Sequence, residues 1–210
     1  MKRITLLLSI LTILAIVISA CSSSGAAVKC QTVEKSEQSQ CYIDVGIETK
    51  DFSVCKQAEG RSENWCRFEV SKALDDVKGC ESIKGDSYWS DICFKHFGET
   101  QANKDYCNII TNQKSGDECL TNVALDTGNP NVCKDIKDDK TQLQKCYYDS
   151  SIASLNPLNC DRLENPINRD TCVSKIAKAK DDPELCKAIR LDELEQSCVR
   201  KFVVINNTNN

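Results

Sequence analysis

The stretch TGNPNVCKDI, residues 127–136, recurs in altered form as LNPLNCDRL and DDPELCKAI at residues 155–163 and 181–189. In each copy an Asn or Asp precedes a proline, and a cysteine follows three residues after that proline. An Asn or Asp side chain suits the N-cap of a helix because it accepts a hydrogen bond from a free amide of the first turn. Proline suits the next position because its missing N–H would be unbonded there. The phrase therefore predicts the start of a short helix, with N-caps at Asn129, Asn156 and Asp182.

The cysteines give the repeat its period. The chain contains 15 cysteines, and 14 of them stand between residues 30 and 198. A constant step of 14 residues separates Cys41 from Cys55 and recurs as far as Cys172 and Cys186, whereas the alternate steps vary from 11 to 13 residues. The full period is thus 25–27 residues, and it occurs seven times. A fixed period of this size is typical of solenoid and array proteins.

A second, longer helix is predicted after the second cysteine of each unit. Apolar residues at that cysteine and one and four residues later form a helical stripe, and the fifth residue is small in six units. The third residue after each first cysteine is also apolar, on the same face of the short helix: Val33, Ala58, Ile83, Ile110, Ile136, Leu163 and Ile189. The predicted fold class is therefore all-α, with about seven disulfide-stapled helical hairpins stacked as an elongated solenoid.

The N-terminus has the pattern of an export signal. Lys2 and Arg3 precede an apolar run that ends in Ile18-Ser19-Ala20-Cys21. These four residues resemble the lipobox of prokaryotic lipoproteins. The resemblance implies cleavage before Cys21, a diacylglyceryl group on its thiol, and acylation of the new amino terminus with chains such as palmitate.

An uncleaved transmembrane anchor is the alternative interpretation, since the 17 apolar residues from Ile4 to Ala20 lie at the lower limit for spanning a bilayer. The polar stretch SSSG after Cys21 favours a lipidated tether. The predicted location is the cell membrane or the outer membrane, lipid-anchored through Cys21 and facing the extracytoplasmic side. The predicted segments are a signal peptide, a lipidated cysteine with polar tether, a cysteine-rich helical repeat domain and a polar tail, at residues 1–20, 21–29, 30–205 and 206–210.

Lipidation of Cys21 leaves an even number of cysteines for an oxidising compartment, which indicates a disulfide framework. Pairing across the constant step leaves Cys30 and Cys198 without partners, whereas pairing within each unit leaves none. Spacing alone leaves both connectivities open. The within-unit set is Cys30–Cys41, Cys55–Cys66, Cys80–Cys93, Cys107–Cys119, Cys133–Cys146, Cys160–Cys172 and Cys186–Cys198.

Composition argues against several function classes. Without Lys2 and Arg3 the chain has 25 basic and 31 acidic residues, a balance that argues against nucleic acid as a partner. The nearest two cysteines are nine residues apart and His96 is the only histidine, so neither a metal centre nor a cofactor is expected. Pairs of aspartates in predicted turns indicate helix capping rather than calcium binding: Asp75-Asp76, Asp138-Asp139 and Asp181-Asp182.

The sequence contains no nucleophile motif or phosphate-binding loop, and no catalytic residue is predicted. Aromatic residues near the starts of the longer helices would either anchor a partner or fill gaps over the disulfides: Trp65, Tyr88, Trp89, Tyr147 and Tyr148. The leading hypothesis is a non-catalytic module that binds a protein or another envelope component. A structural spacer would lack a contiguous patch of exposed aromatics, and an envelope enzyme or enzyme inhibitor would need a pocket converging on His96.

Overall fold

The computed structural model describes residue 25 and residues 28–207, and for residues 203–207 it describes the backbone alone. Every regular element in this part of the chain is helical, which confirms the predicted all-α class. The predicted signal peptide, the lipidation site Cys21 and the end of the polar tail lie outside the described residues. Within the described residues, no helix combines the length and apolar character that crossing a bilayer requires.

Seven longer helices are described: α1 Gln38–Thr49, α2 Arg61–Leu74, α3 Ser87–Thr100, α4 Gln113–Thr127, α5 Lys140–Ala153, α6 Pro166–Lys180 and α7 Asp192–Asn207. A short helical segment precedes each of α2 to α7: Phe52–Gln57, Lys78–Glu81, Lys104–Cys107, Val132–Asp135, Pro157–Arg162 and Pro183–Ala188. The chain up to Phe94 and the chain from Lys95 form two compact units. The elongated stacking of all repeats stays a prediction.

Seven disulfides staple the described chain, and each lies within one repeat. The pairs are Cys30–Cys41, Cys55–Cys66, Cys80–Cys93, Cys107–Cys119, Cys133–Cys146, Cys160–Cys172 and Cys186–Cys198, with Cα–Cα distances of 5.5–5.9 Å. Each bridge joins one turn of helix to the longer helix that follows it. Closing a loop of this size stabilises the fold by about 3 kcal/mol in the chain-entropy model. Such bridges matter here because helices of three or four turns are marginal alone in water.

Two local features of the backbone lie within the constant 14-residue step: a residue with left-handed dihedral angles and an Asp or Asn that follows it. In six repeats the residue nine positions after the second cysteine is left-handed, with φ of 49–58°: Lys50, Asp75, Ala102, Gly128, Leu155 and Asp181. This residue ends the longer helix. The next residue is always Asp or Asn, and its side chain accepts the N–H two residues further on at 2.8–3.1 Å: Asp51, Asp76, Asn103, Asn129, Asn156 and Asp182. The predicted N-caps Asn156 and Asp182 are confirmed, and Asp51 and Asn103 cap their segments in the same way. Asn129 accepts the same hydrogen bond, but the helical segment begins later there, after Asn131, so the N-cap prediction is wrong for this repeat.

The short helices have four to six residues, and four of them are 3-10 helices. The amides of Leu163 and Ile189 bond back to Cys160 and Cys186, three residues earlier, and both apolar residues then turn extended, with ψ of 124° and 131°. The short helices therefore end at these two residues.

The predicted apolar stripe lies in the core. Val70, Phe97, Val123 and Ile176, four residues after the second cysteine, are at most 1% exposed. The small residue beside the stripe permits close packing, most tightly at Gly98, where a Cβ would lie 2.7 Å from Cys119 Sγ and 2.9 Å from Cys107 Sγ. Val199, one residue after the second cysteine of the last repeat, is 40% exposed, so the stripe prediction is wrong at that position.

Candidate functional site

An aromatic patch lies between α2 and the first turn of α3. It consists of Phe68, Tyr88 and Trp89. The Tyr88 ring is 5.4 Å from that of Trp89 in a T-shaped arrangement, and the Trp89 ring is 6.0 Å from that of Phe68. The Tyr88 side chain is 65% exposed, whereas those of Phe68 and Trp89 are half-buried. The three rings therefore form one contiguous surface.

Local contacts hold the patch in place. Asp86 Oδ1 accepts the Trp89 N–H at 3.4 Å at the start of α3, which directs Tyr88 and Trp89 from its first turn. On α2, Lys72 Nζ lies 5.2 Å from the centre of the Phe68 ring, a cation–π contact, and 2.7 Å from a carboxylate oxygen of Glu69. The patch is thus bordered at one end by the ion pair of Lys72 and Glu69.

The other predicted aromatic anchors take the gap-filling role. Trp65 packs against the core of the first unit. Tyr147 and Tyr148 pack against a core cluster of the second unit, and their rings lie beneath Arg162 and Lys175 at 5.7 Å and 5.1 Å. Of the five residues singled out in the sequence, Tyr88 and Trp89 alone belong to the patch.

A basic depression of about 710 Å³ opens beside the amino end of α2. Its lining includes four cationic side chains, Lys56, Arg67, Lys78 and Lys84, and two carboxylates, Glu63 and Glu81. The sequence gives no local sign of this group, because its members come from separate elements and form no run of basic residues.

The arginine of the basic depression is already engaged. The Arg67 guanidinium is buried, and it donates to Glu63 Oε1 at 2.6 Å and to Ser82 Oγ at 2.5 Å. The three lysines are exposed, and within the described residues none of them forms an ion pair. Arg67 therefore shapes the wall of the depression, whereas the lysine ammonium groups are available to a ligand.

A buried ion pair in the second unit is structural. Arg169 pairs with Asp170, which is 0% exposed and whose Oδ2 accepts the N–H groups of Arg190 at 3.2 Å and Leu191 at 2.8 Å. The Asp170 carboxylate thereby ties α6 to the start of α7. A polar residue two positions before the second cysteine is the sequence signal for this link, and it occurs in every repeat: Ser39, Asn64, Asp91, Asp117, Gln144, Asp170 and Gln196. Gln144 makes the equivalent bond, accepting the Glu164 N–H at 2.9 Å.

Two carboxyl groups of the second unit have shifted pKa values. Burial raises the pKa of Asp117, although Gln113 Nε2 donates to its carboxylate at 2.8 Å. A hydrogen bond from Lys104 Nζ at 2.8 Å lowers the pKa of Asp135. The ion pair between Lys104 and Asp135 joins residues 31 positions apart, so it connects successive repeats.

His96 lies in α3. Its ring packs T-shaped against Phe97, with the ring centres 5.3 Å apart. His96 lines neither the basic depression nor two further depressions of about 540 and 460 Å³ beside α5 and α7. In the described part of the chain, no three His, Cys, Asp or Glu side chains converge as metal ligands would. That the protein is not an enzyme stays a prediction.

The aspartate pairs act as caps. Asp75 and Asp181 are the left-handed residues that end α2 and α6. Asp139 Oδ1 accepts the Gln142 N–H at 2.9 Å at the start of α5. The capping interpretation of these pairs is therefore confirmed.

Comparison of the chain with protein-family models, with curated proteins and with solved structures gives no match.

Proposed function

We propose that this protein is a lipid-anchored, extracytoplasmic repeat protein that binds another protein or envelope component without catalysis. The aromatic patch of Phe68, Tyr88 and Trp89 is the observation that carries this proposal. Tyrosine and tryptophan are enriched among the residues that dominate binding energy at interfaces, since they offer a large rigid area with a polar tip. A spacer has no use for such a surface.

The exposure of Tyr88 supports a binding role over a packing role. A ring that fills a gap over a disulfide is covered by its neighbours, as Trp65 is in the first unit. Tyr88 instead leaves 65% of its surface open, beside the half-buried rings of Phe68 and Trp89. A partner that covered the patch would bury this area and gain roughly 25 cal/mol for each square ångström of apolar surface removed from water.

The disulfides indicate where the protein works. Seven bridges in one chain indicate an oxidising, extracytoplasmic environment, because reducing systems keep cytosolic thiols free. The membrane anchor of the proposal rests on the lipobox that ends in Cys21. Two or more acyl chains would hold the protein stably at a membrane surface.

Site-specific photo-cross-linking in intact cells tests the binding role. A photoreactive phenylalanine analogue replaces Tyr88 in one variant and Leu158, which is 75% exposed in the second unit, in the control. We expect a discrete adduct from position 88 and none from position 158. Adducts of the same size from both positions, or none from position 88, would contradict the proposal and favour the spacer.

Mass spectrometry tests the anchor and the bridges together. Protein is extracted from membranes without reductant, and its N-terminal Cys21 peptide is weighed. We expect a lipid mass on that peptide and no free thiol between residues 30 and 198. An unmodified Cys21 preceded by an intact signal segment would instead indicate a transmembrane anchor.

A further inference from the structure

We propose that the basic depression is a binding site for a polyvalent, phosphate-bearing anion. This inference goes beyond the proposed function, because the lysines that carry it are not part of the aromatic patch. The chain has a formal net charge of −4, yet four cations and two carboxylates line this one depression. A positively charged depression on a protein with a negative net charge is a surface that attracts anions.

Four cations against two carboxylates give the lining a formal charge of about +2, and all of it is carried by the lysines. Arg67 neutralises Glu63 through two hydrogen bonds, at 2.6 and 3.1 Å. Lys56, Lys78 and Lys84 then face a single remaining carboxylate, that of Glu81. Gly60, at which α2 begins without a side-chain cap, lines the depression as well, so the positive end of the helix dipole adds to this charge.

The tertiary structure assembles these lysines from separate elements. Lys56 belongs to the short segment Phe52–Gln57, Lys78 begins the segment Lys78–Glu81, and Lys84 lies in the loop before α3. The hydrogen bond from Arg67 to Ser82 Oγ links α2 to the loop that follows Lys78–Glu81. This link fixes the wall between the lysines, so a ligand meets a preformed depression with exposed ammonium groups around it.

The chemistry of the lining selects the class of ligand. A volume of about 710 Å³ exceeds what one small ion needs and lies within the range of small-molecule sites, roughly 300–1,000 Å³. Lysine binds phosphate as a point charge, without the planar bidentate geometry that arginine offers to a carboxylate. Three separate ammonium groups therefore suit an anion with several charges along its length, such as a chain of phosphate groups.

Titration with inorganic tripolyphosphate tests the site. The full chain, purified with its disulfides intact, is titrated calorimetrically at low salt, where exposed charges are least screened. We expect tripolyphosphate to bind more tightly than orthophosphate, with an affinity that falls as salt rises. The variant K56Q/K78Q/K84Q should lose about tenfold or more in affinity, because the local potential falls with each charge removed.

A matched variant keeps the test specific. K114Q/K137Q/K178Q removes three exposed lysines of the second unit and changes the net charge by the same amount. We expect it to bind tripolyphosphate within about twofold of the natural chain, since these charges are not in the depression. Equal losses in the two triple variants, equal affinity for orthophosphate, or no binding at all would overturn the inference. Tyr88→Ser should leave this affinity unchanged, which separates the anion site from the aromatic patch.

Discussion

Alanine at Gly98 tests how closely α3 packs against a disulfide. The added Cβ would lie 2.7 Å from Cys119 Sγ, 2.9 Å from Cys107 Sγ and 3.4 Å from the Cys107 backbone nitrogen. Carbon atoms do not approach sulfur so closely, so the helix or the bridge must shift. Overpacking of this kind costs about 1–3 kcal/mol. Alanine also favours a helix over glycine by about 1 kcal/mol, so the net loss of stability is roughly 0–2 kcal/mol.

Gly116→Ala is the matched control. Gly116 lies in α4 and is also buried, but its added Cβ would meet the Cys107 carbonyl oxygen at 3.4 Å and Ile110 Cβ at 3.8 Å, which are ordinary contacts. This variant gains the helical preference without the clash, so we expect it to be more stable than the natural chain by about 0.5–1 kcal/mol. Both variants gain the higher helix propensity of alanine. The difference between their free energies of unfolding therefore measures the cost of the clash at residue 98, about 1–3 kcal/mol.

Urea unfolding followed by circular dichroism, with the disulfides intact, measures both variants. The free energy of unfolding should fall in the order Gly116→Ala, natural chain, Gly98→Ala, with similar dependence on urea concentration. Gly98→Ala as stable as Gly116→Ala would refute the reasoning, because it would mean that α3 does not rest on the Cys107–Cys119 bridge as closely as described.

Three further predictions concern the repeat contacts. Asp170→Ala should lower the free energy of unfolding by about 3–5 kcal/mol, because the buried Arg169 guanidinium then keeps only the exposed Asp161 carboxylate, 3.8 Å away, as a partner. Asp161→Ala should cost under about 1 kcal/mol, and urea unfolding distinguishes the two. Ala102→Gly should stabilise the chain by about 1 kcal/mol in the same assay, since residue 102 has φ of 49°, where glycine is not strained; a loss of stability would contradict this. Because Lys104 lowers the pKa of Asp135, the ion pair stabilises the fold above the ordinary aspartate range, and this stability is lost as pH falls through the lowered pKa. The stability difference between the natural chain and Lys104→Gln, measured by urea unfolding across acidic pH, should therefore shrink toward zero; a constant difference would show that the pair is not the cause.

Where the sequence analysis succeeded, it relied on contacts that are close along the chain. Asn156 and Asp182 were assigned as caps because an Asx side chain reaches an amide two residues away, and both do so at 3.1 Å. The same hydrogen bond at Asp51, Asp76 and Asn103 is not marked in the sequence, because no proline follows those residues. Nor does lysine, alanine or leucine at the preceding position give any local sign of a positive φ, whereas glycine, as at Gly128, is typical of it.

The candidate sites were less accessible to sequence reasoning. Tyr88 and Trp89 were noted as possible anchors, but the choice between anchoring and gap-filling depended on neighbours. Phe68, which completes the aromatic patch, is about 20 positions earlier and carries no local signal. Asp170 resembles any polar helix residue until the chain from the next repeat places two amides over its carboxylate.

The sequence by itself determined the all-α class, the repeat period, the even set of cysteines in the repeats and the N-caps at Asn156 and Asp182. These features arise within one repeat, where at most 14 residues separate successive cysteines. The tertiary structure alone decided which side chains of different elements share a surface: the three rings of the aromatic patch, the lysines of the basic depression and the buried partners of Asp170. Burial and charge at those places depend on packing between elements, which the spacing of residues along the chain does not specify.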